Sequence, residues 1–103
     1  MVAVNENTTS FLTVSFFDEL GNAVVPTAAT YRIDDPDGTS IVDATAMTLA
    51  EVVEITITSN QNRILHPTNP FETRIVTVEF DYSGGTKHGT HEDSYEIRNL
   101  AFL

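Results

Sequence analysis

The stretch Val53-Glu54-Ile55-Thr56-Ile57-Thr58 decides the fold. Its aliphatic residues alternate with Glu and Thr, the spacing of a pleated strand with one face in a core and the other in water. All but one of these side chains are β-branched, which suits a half-buried pleated surface better than a helix. The same period runs outward on both sides. Upstream, Leu12, Val14 and Phe16 alternate with Thr13 and Ser15, predicting a strand from about Thr8 to Phe17, and Ala29, Tyr31 and Ile33 predict another. Val24-Val25-Pro26 reads as a short edge segment, because proline cannot donate to a central ladder, and Ile41-Val42 as a weaker strand. Downstream, Phe71 to Tyr82 is the longest candidate, with Val76, Val78, Phe80 and Tyr82 on one parity and Ile75 and Thr77 on the other. If Phe71 faces the core, this strand needs a bulge near Ile75 and Val76. Tyr95 and Ile97 mark a last strand from Ser94 to Asn99.

Turn chemistry separates these runs. Asp18-Glu19-Leu20-Gly21-Asn22, Asp35-Pro36-Asp37-Gly38 and the glycine-rich Ser83 to Gly89 loop supply residues that accept positive φ or preset a turn. Ser59 or Asn60 is placed to cap one helical turn through Arg63, and Pro67 and Pro70 stop any continuation. Six or seven short strands without repeat or linker predict a single all-β sandwich over residues 1–103, with a candidate N-terminal arm at 1–7 and an apolar C-terminal tail at 100–103. The residues expected in its core are Leu12, Val14, Phe16, Tyr31, Ile33, Val53, Ile55, Ile57, Leu65, Val78, Phe80, Tyr95 and Ile97.

Composition narrows the function classes. At 103 residues and 11.3 kDa the chain fits one small domain. Fifteen acidic residues against five basic ones give a net charge of -10, unfavourable for binding nucleic acid or anionic lipid. The absence of cysteine excludes disulfides, thiolate metal sites and a cysteine nucleophile. Met1 to Glu6 has neither the basic region nor the apolar run of a signal peptide, and no stretch approaches a membrane span, so a soluble, cytoplasmically made product is expected.

Leu65, Pro67 and Phe71 are similar in spacing to the corner of a fibronectin type III domain, where a leucine plugs the core and an aromatic opens the next strand. This resemblance implies an immunoglobulin-like sandwich of about seven strands. Phe71 stands where that family usually has tyrosine and lacks the hydroxyl that closes the corner. The run from Phe16 through Asp18-Glu19-Leu20-Gly21-Asn22 to Tyr31-Arg32-Ile33-Asp34-Asp35-Pro36-Asp37-Gly38 resembles the N-terminal sandwich of phage upper-baseplate proteins. Asn62-Arg63-Ile64-Leu65, Phe71-Glu72-Thr73-Arg74 and Arg98-Asn99-Leu100 are similar to segments of short proteins encoded among phage head genes. What the resemblance implies is a virion structural protein of a tailed bacteriophage, first a capsid decoration (cement) protein on the major capsid lattice. A head-tail joining or tail protein and a glycan-binding adhesion module are the alternatives.

Candidate chemistry is sparse. His88, His91, Glu92 and Asp93 form the densest set of metal-ligand types, with His91 and Asp93 on one strand face, but two ligands fall short of a stable site. Asp34, Asp35 and Asp37 could offer oxygens to calcium, yet a turn accounts for them and the twelve-residue loop with its terminal glutamate is missing. Glu54, Glu72, Glu79 and Glu96 alternate with apolar residues and are expected on outer faces, as are the pairs Arg32–Asp34, Arg74–Glu72 and Arg98–Glu96. No enzyme, cofactor or required metal is expected. Tyr31, Tyr82 and Tyr95 share core parity, which suits packing rather than a sugar platform. The expected partner-binding residues are Leu100, Phe102 and Leu103, with Val2 and Val4, docking on virion proteins or on further copies of the chain.

Overall fold

A computed structural model describes residues 2–102, and for Val2 only the backbone. Its strands are β1 (Val2–Asn5), β2 (Ser10–Ser15), β3 (Ala28–Asp34), β4 (Ser40–Ala46), β5 (Val52–Ile57), β6 (Phe71–Tyr82) and β7 (Lys87–Arg98), followed by one 3-10 turn at Leu100–Phe102. They form a five-stranded sheet in the order β1-β7-β6-β3-β4 and a two-stranded sheet of β2 and β5. The chain is thus all-β with two facing sheets. Every pairing is antiparallel except that of β1 with β7.

Alternation sets which side of each strand meets the core. In β5, Val53, Ile55 and Ile57 are buried while Val52, Glu54 and Thr56 are exposed, and in β2 Val14 and Phe16, just past the strand's end, point inward. From the large sheet come Ala29, Ile33, Val76, Val78, Tyr95 and Ile97. Phe16 meets Phe80 edge to face with ring centroids 5.0 Å apart, joining the two layers. Asn62, fully buried, accepts the Tyr95 hydroxyl at 2.8 Å and donates to the Thr8 carbonyl and the Ser10 hydroxyl, so a satisfied polar pin also crosses the layers.

Several expectations change. β6 pairs with β7 in unbroken register from Phe71↔Arg98 to Tyr82↔Lys87, so no bulge resolves its mixed parity. Instead the even positions face inward throughout. Phe71 is therefore 47% exposed, and Glu72 and Arg74 are buried. Leu65 is half-buried and outside the core cluster, so it does not plug the sandwich. Leu12, Tyr31 and Phe80 are half-buried and pack against that cluster, to which Met47 adds a residue the alternation does not reveal. Residues 2–5 form an integral strand rather than an arm, because their register beside Tyr95–Arg98 extends the ladder. The turn after β5 is capped by Thr58, whose hydroxyl accepts the Gln61 N–H at 3.3 Å, rather than by Ser59 or Asn60.

The expected Val24–Pro26 edge segment completes β2. Phe17 bridges Ala23, and the Val24 N–H donates to the Phe16 carbonyl at 3.0 Å. Val24 consequently turns inward and Val25 outward. Gly21 at φ 84° allows the tight return, which Asp18 closes by accepting the Leu20 and Asn22 N–H groups at 2.9 Å each.

Candidate functional site

The even-parity face of β6 carries charge at one end of the sandwich. Arg74, with no side-chain exposure, donates to Glu72 Oε2 at 2.6 Å, to Asp35 Oδ1 at 2.9 Å and to the Arg63 carbonyl at 3.0 Å. Its Nε is buried without a partner. Glu72 in turn accepts the backbone N–H of Leu65 at 3.0 Å and that of His66, so one carboxylate fixes the β5–β6 connection. Burial pushes the Glu72 carboxyl up, but the Leu65 N–H, the Arg74 guanidinium and the His66 N–H outweigh it and hold it below the usual 4.5. Leu65, expected to plug the core at this corner, is instead tied through its N–H to the Glu72 carboxylate, and Phe71 faces outward.

Next to this network lie three groups able to ligate a metal. His66 Nε2 is 3.4 Å from Asp35 Oδ2 and 3.7 Å from Asp37 Oδ2. Among the described residues they are the only group of three such side chains whose ligand atoms lie within 4.8 Å of one another. Asp37 is held below its usual value by the Thr39 backbone N–H, which it accepts at 2.8 Å, and by the Thr39 hydroxyl. The group opens on a cleft of about 280 Å³ lined also by Asn69, Phe71 and Thr73. Of the aspartates read as oxygen donors, Asp34 is not in this group: it binds Arg32 in a two-point pair at 2.8 Å on the outer face. His66 appeared in no candidate set. It lies 31 residues from Asp35, and only the packing of the β3–β4 turn against the β5–β6 connection joins them.

The His88 to Asp93 set is dispersed by strand geometry. His88 pairs with Asp81 on the outer face at 2.8 Å, and Glu92 lies opposite Thr77 on that face. His91 and Asp93 share the inner parity opposite Val78 and Val76, where the narrower small sheet leaves them exposed. Of the expected surface pairs, Arg32–Asp34 forms, Arg74–Glu72 forms but is buried, and no ion pair among the described residues joins Glu96 to Arg98. Glu54 and Glu79 lie exposed, Glu96 is half-buried, and Glu72 alone of the four is buried because its parity is that of Val76.

Apolar residues are exposed at both ends of a molecule measuring 48 × 21 × 20 Å. At one end Leu100 and Phe102 are 39% and 52% exposed. Val4 is half-buried against the core and belongs to the fold, while Leu103 and the side chain of Val2 lie outside the described residues. At the other end, register brings Phe17, Val25 and Val52, each more than half exposed, to the outer face of the small sheet around Ser15. Leu20 stands 80% exposed on the adjoining turn. Glu19 borders it, ion-paired with Lys87 and accepting the Tyr82 hydroxyl at 2.9 Å. The Lys87 contact, more than any other, pulls the Glu19 carboxyl down to about 2.

Tyr95 supplies a pH response. Burial pushes its hydroxyl up to about 12, offset only in part by Arg74. The folded state thus holds this proton more tightly than the unfolded chain, whose ordinary value is 10.0. Stability is expected to be at full value below pH ~10 and to fall between about 10 and 12, by on the order of 2 kcal/mol from this group. Tyr82 is also raised, chiefly by its bond to Glu19. Urea titrations across pH 9–12 should therefore show a shallower alkaline loss in Tyr95→Phe than in the wild type.

Neither a family model, nor a curated protein, nor a solved structure matches the chain.

Proposed function

We propose that this chain is a non-enzymatic assembly module of a tailed-phage particle, built on an immunoglobulin-like sandwich and acting first as a capsid decoration protein. The observation that carries the reading is the apolar face of Phe17, Val25 and Val52, open to solvent on a chain whose net charge is -10. Isolated apolar side chains are ordinary on a surface, but three around one small-sheet position, with Leu20 adjoining, make a contiguous patch of the kind that protein partners cover. The net charge of -10 favours solubility of the free protein and repels packaged nucleic acid.

The strand order supports the finer description of the fold. A pair of strands opposite a sheet of β7, β6, β3 and β4 corresponds to the immunoglobulin arrangement of strands B and E facing G, F, C and C′, with β1 added parallel to the edge of β7. The resemblance to phage baseplate and head-gene proteins supplies the particle, and the exposed Leu100 and Phe102 supply a second contact at the opposite end. A small unit with apolar contacts at both ends suits a lattice, where many weak copies attach firmly. Against a glycan-binding module stand Tyr82 and Tyr95, which are buried and hydrogen-bonded rather than displayed as a platform.

Sedimentation tests the reading. The chain is expected to travel with whole particles and with tailless heads of the phage that encodes it. The double variant Phe17→Glu with Val52→Glu, altered only at exposed positions, should keep its fold while occupancy falls at least about tenfold. Removing residues 100–103 measures the second contact in the same assay. Recovery with tails alone would move the module to the tail, and absence from particles would overturn the proposal.

A further inference from the structure

We propose that Asp35, Asp37 and His66 bind one first-row divalent cation of the zinc type, at a site independent of the apolar face described above. Spacing sets this group apart from the direct histidine–aspartate bond found elsewhere in the protein. Where a histidine and an aspartate of this protein do bond directly, His88 and Asp81, the distance is 2.8 Å. His66 Nε2 instead stands 3.4 Å and 3.7 Å from two carboxylate oxygens at once, too far for a strong hydrogen bond to either. Ligands bound at about 2.0–2.1 Å around a tetrahedral zinc ion lie about 3.3–3.4 Å from one another, so these separations are those of co-ligands.

Each ligand is also held by something else. Asp35 turns its Oδ1 to the buried Arg74, leaving Oδ2, which receives the Asp37 N–H at 3.2 Å and faces His66. Asp37 turns its Oδ1 to the Thr39 N–H and leaves Oδ2. The backbone of His66 is tied to Glu72. Such outer contacts aim a ligand and fix which atom it offers. Charge points the same way: Glu72, Asp35 and Asp37 stand against the single guanidinium of Arg74, an excess of two negative charges at one end of the sandwich. The cleft over the group leaves room for water to complete the coordination. An imidazole with two carboxylates favours zinc, cobalt or manganese over calcium, which calls for six to eight oxygens. Because Arg74 already balances Asp35, the fold does not wait for the metal, and chelation should leave it folded.

Metal-free protein prepared with a chelator is titrated with Zn²⁺ while the melting temperature is followed, and with Co²⁺ while visible absorption is followed. One equivalent is expected to bind, raising the melting temperature by at least about 5 °C at a hundredfold excess over Kd. Calcium and magnesium at the same concentrations should shift it far less. His66→Ala and Asp37→Asn, both away from the core, should each weaken zinc binding by tenfold or more. Asp34→Asn and the double variant His88→Ala with His91→Ala should bind as the wild type does. Absence of stoichiometric binding, retention of it in His66→Ala, or its loss in the His88/His91 variant would each overturn the proposal.

Discussion

Replacing Arg74 with alanine is expected to cost about 3–5 kcal/mol, because it leaves two buried carboxylates without their shared counter-charge. Against a total of about 5–15 kcal/mol for a domain of ordinary stability, that is enough to populate the unfolded chain at room temperature at the low end of the range. The loss is not the intrinsic worth of the pair. Most of it is the cost of Glu72 and Asp35 remaining in a low-dielectric pocket with their acceptors half satisfied. The double change Glu72→Leu with Arg74→Met removes the guanidinium with one of its two carboxylates and leaves only Asp35 unpaired, so it should be milder than Arg74→Ala. Acid sharpens the test. Glu72 is depressed in the fold, so its contribution is present above its unfolded value near 4.5 and fades as the pH falls through the lower folded value. Arg74→Ala removes one of the contacts that hold Glu72 down and brings its folded value back toward the unfolded one, so this acid limb should shrink, which urea midpoints between pH 3 and 6 will register.

Phe16→Ala should cost a similar amount, about 3–5 kcal/mol, for a different reason. Phe16 is 1% exposed, and its removal opens a cavity between the layers and deprives Phe80 of its edge-to-face partner. Two strands alone make a marginal sheet, so β2 and β5 depend on what their inner faces bury against the larger one. Hydrogen exchange should show β2 and β5 losing protection before β6 and β7 do. Uniform loss across all strands would mean that the small sheet has no separate stability.

The sandwich was legible where one parity carried all the apolar residues. Val53, Ile55 and Ile57 needed only their alternation, and Asp-Pro-Asp-Gly announced its own turn. β6 misled because its inner face changes from Val76 and Val78 to Arg74 and Glu72, and a hydrophobicity pattern assigns charged residues to water unless it can see their partners. The partners were Asp35 on another loop and backbone N–H groups, neither of which has a periodic signature. The same blindness hid His66. Its neighbours are set by which turn packs on which connection, a matter of topology rather than spacing. β1 escaped notice because four residues are too short to show a period.

The parallel seam between β1 and β7 has a mechanical consequence. Val2 lies beside Tyr95 and Asn5 beside Arg98, with both strands running in one direction. Tension drawn backward through β1 and forward through β7 therefore acts along the strands, and the ladder bonds of the seam must slide and fail together. A hairpin pulled from its open end would instead release them one at a time. β7 itself is held along its whole length by β6, so the short seam bears the load first. A chain tethered through these two strands would meet stretching with its stiffest arrangement, in shear rather than in peeling.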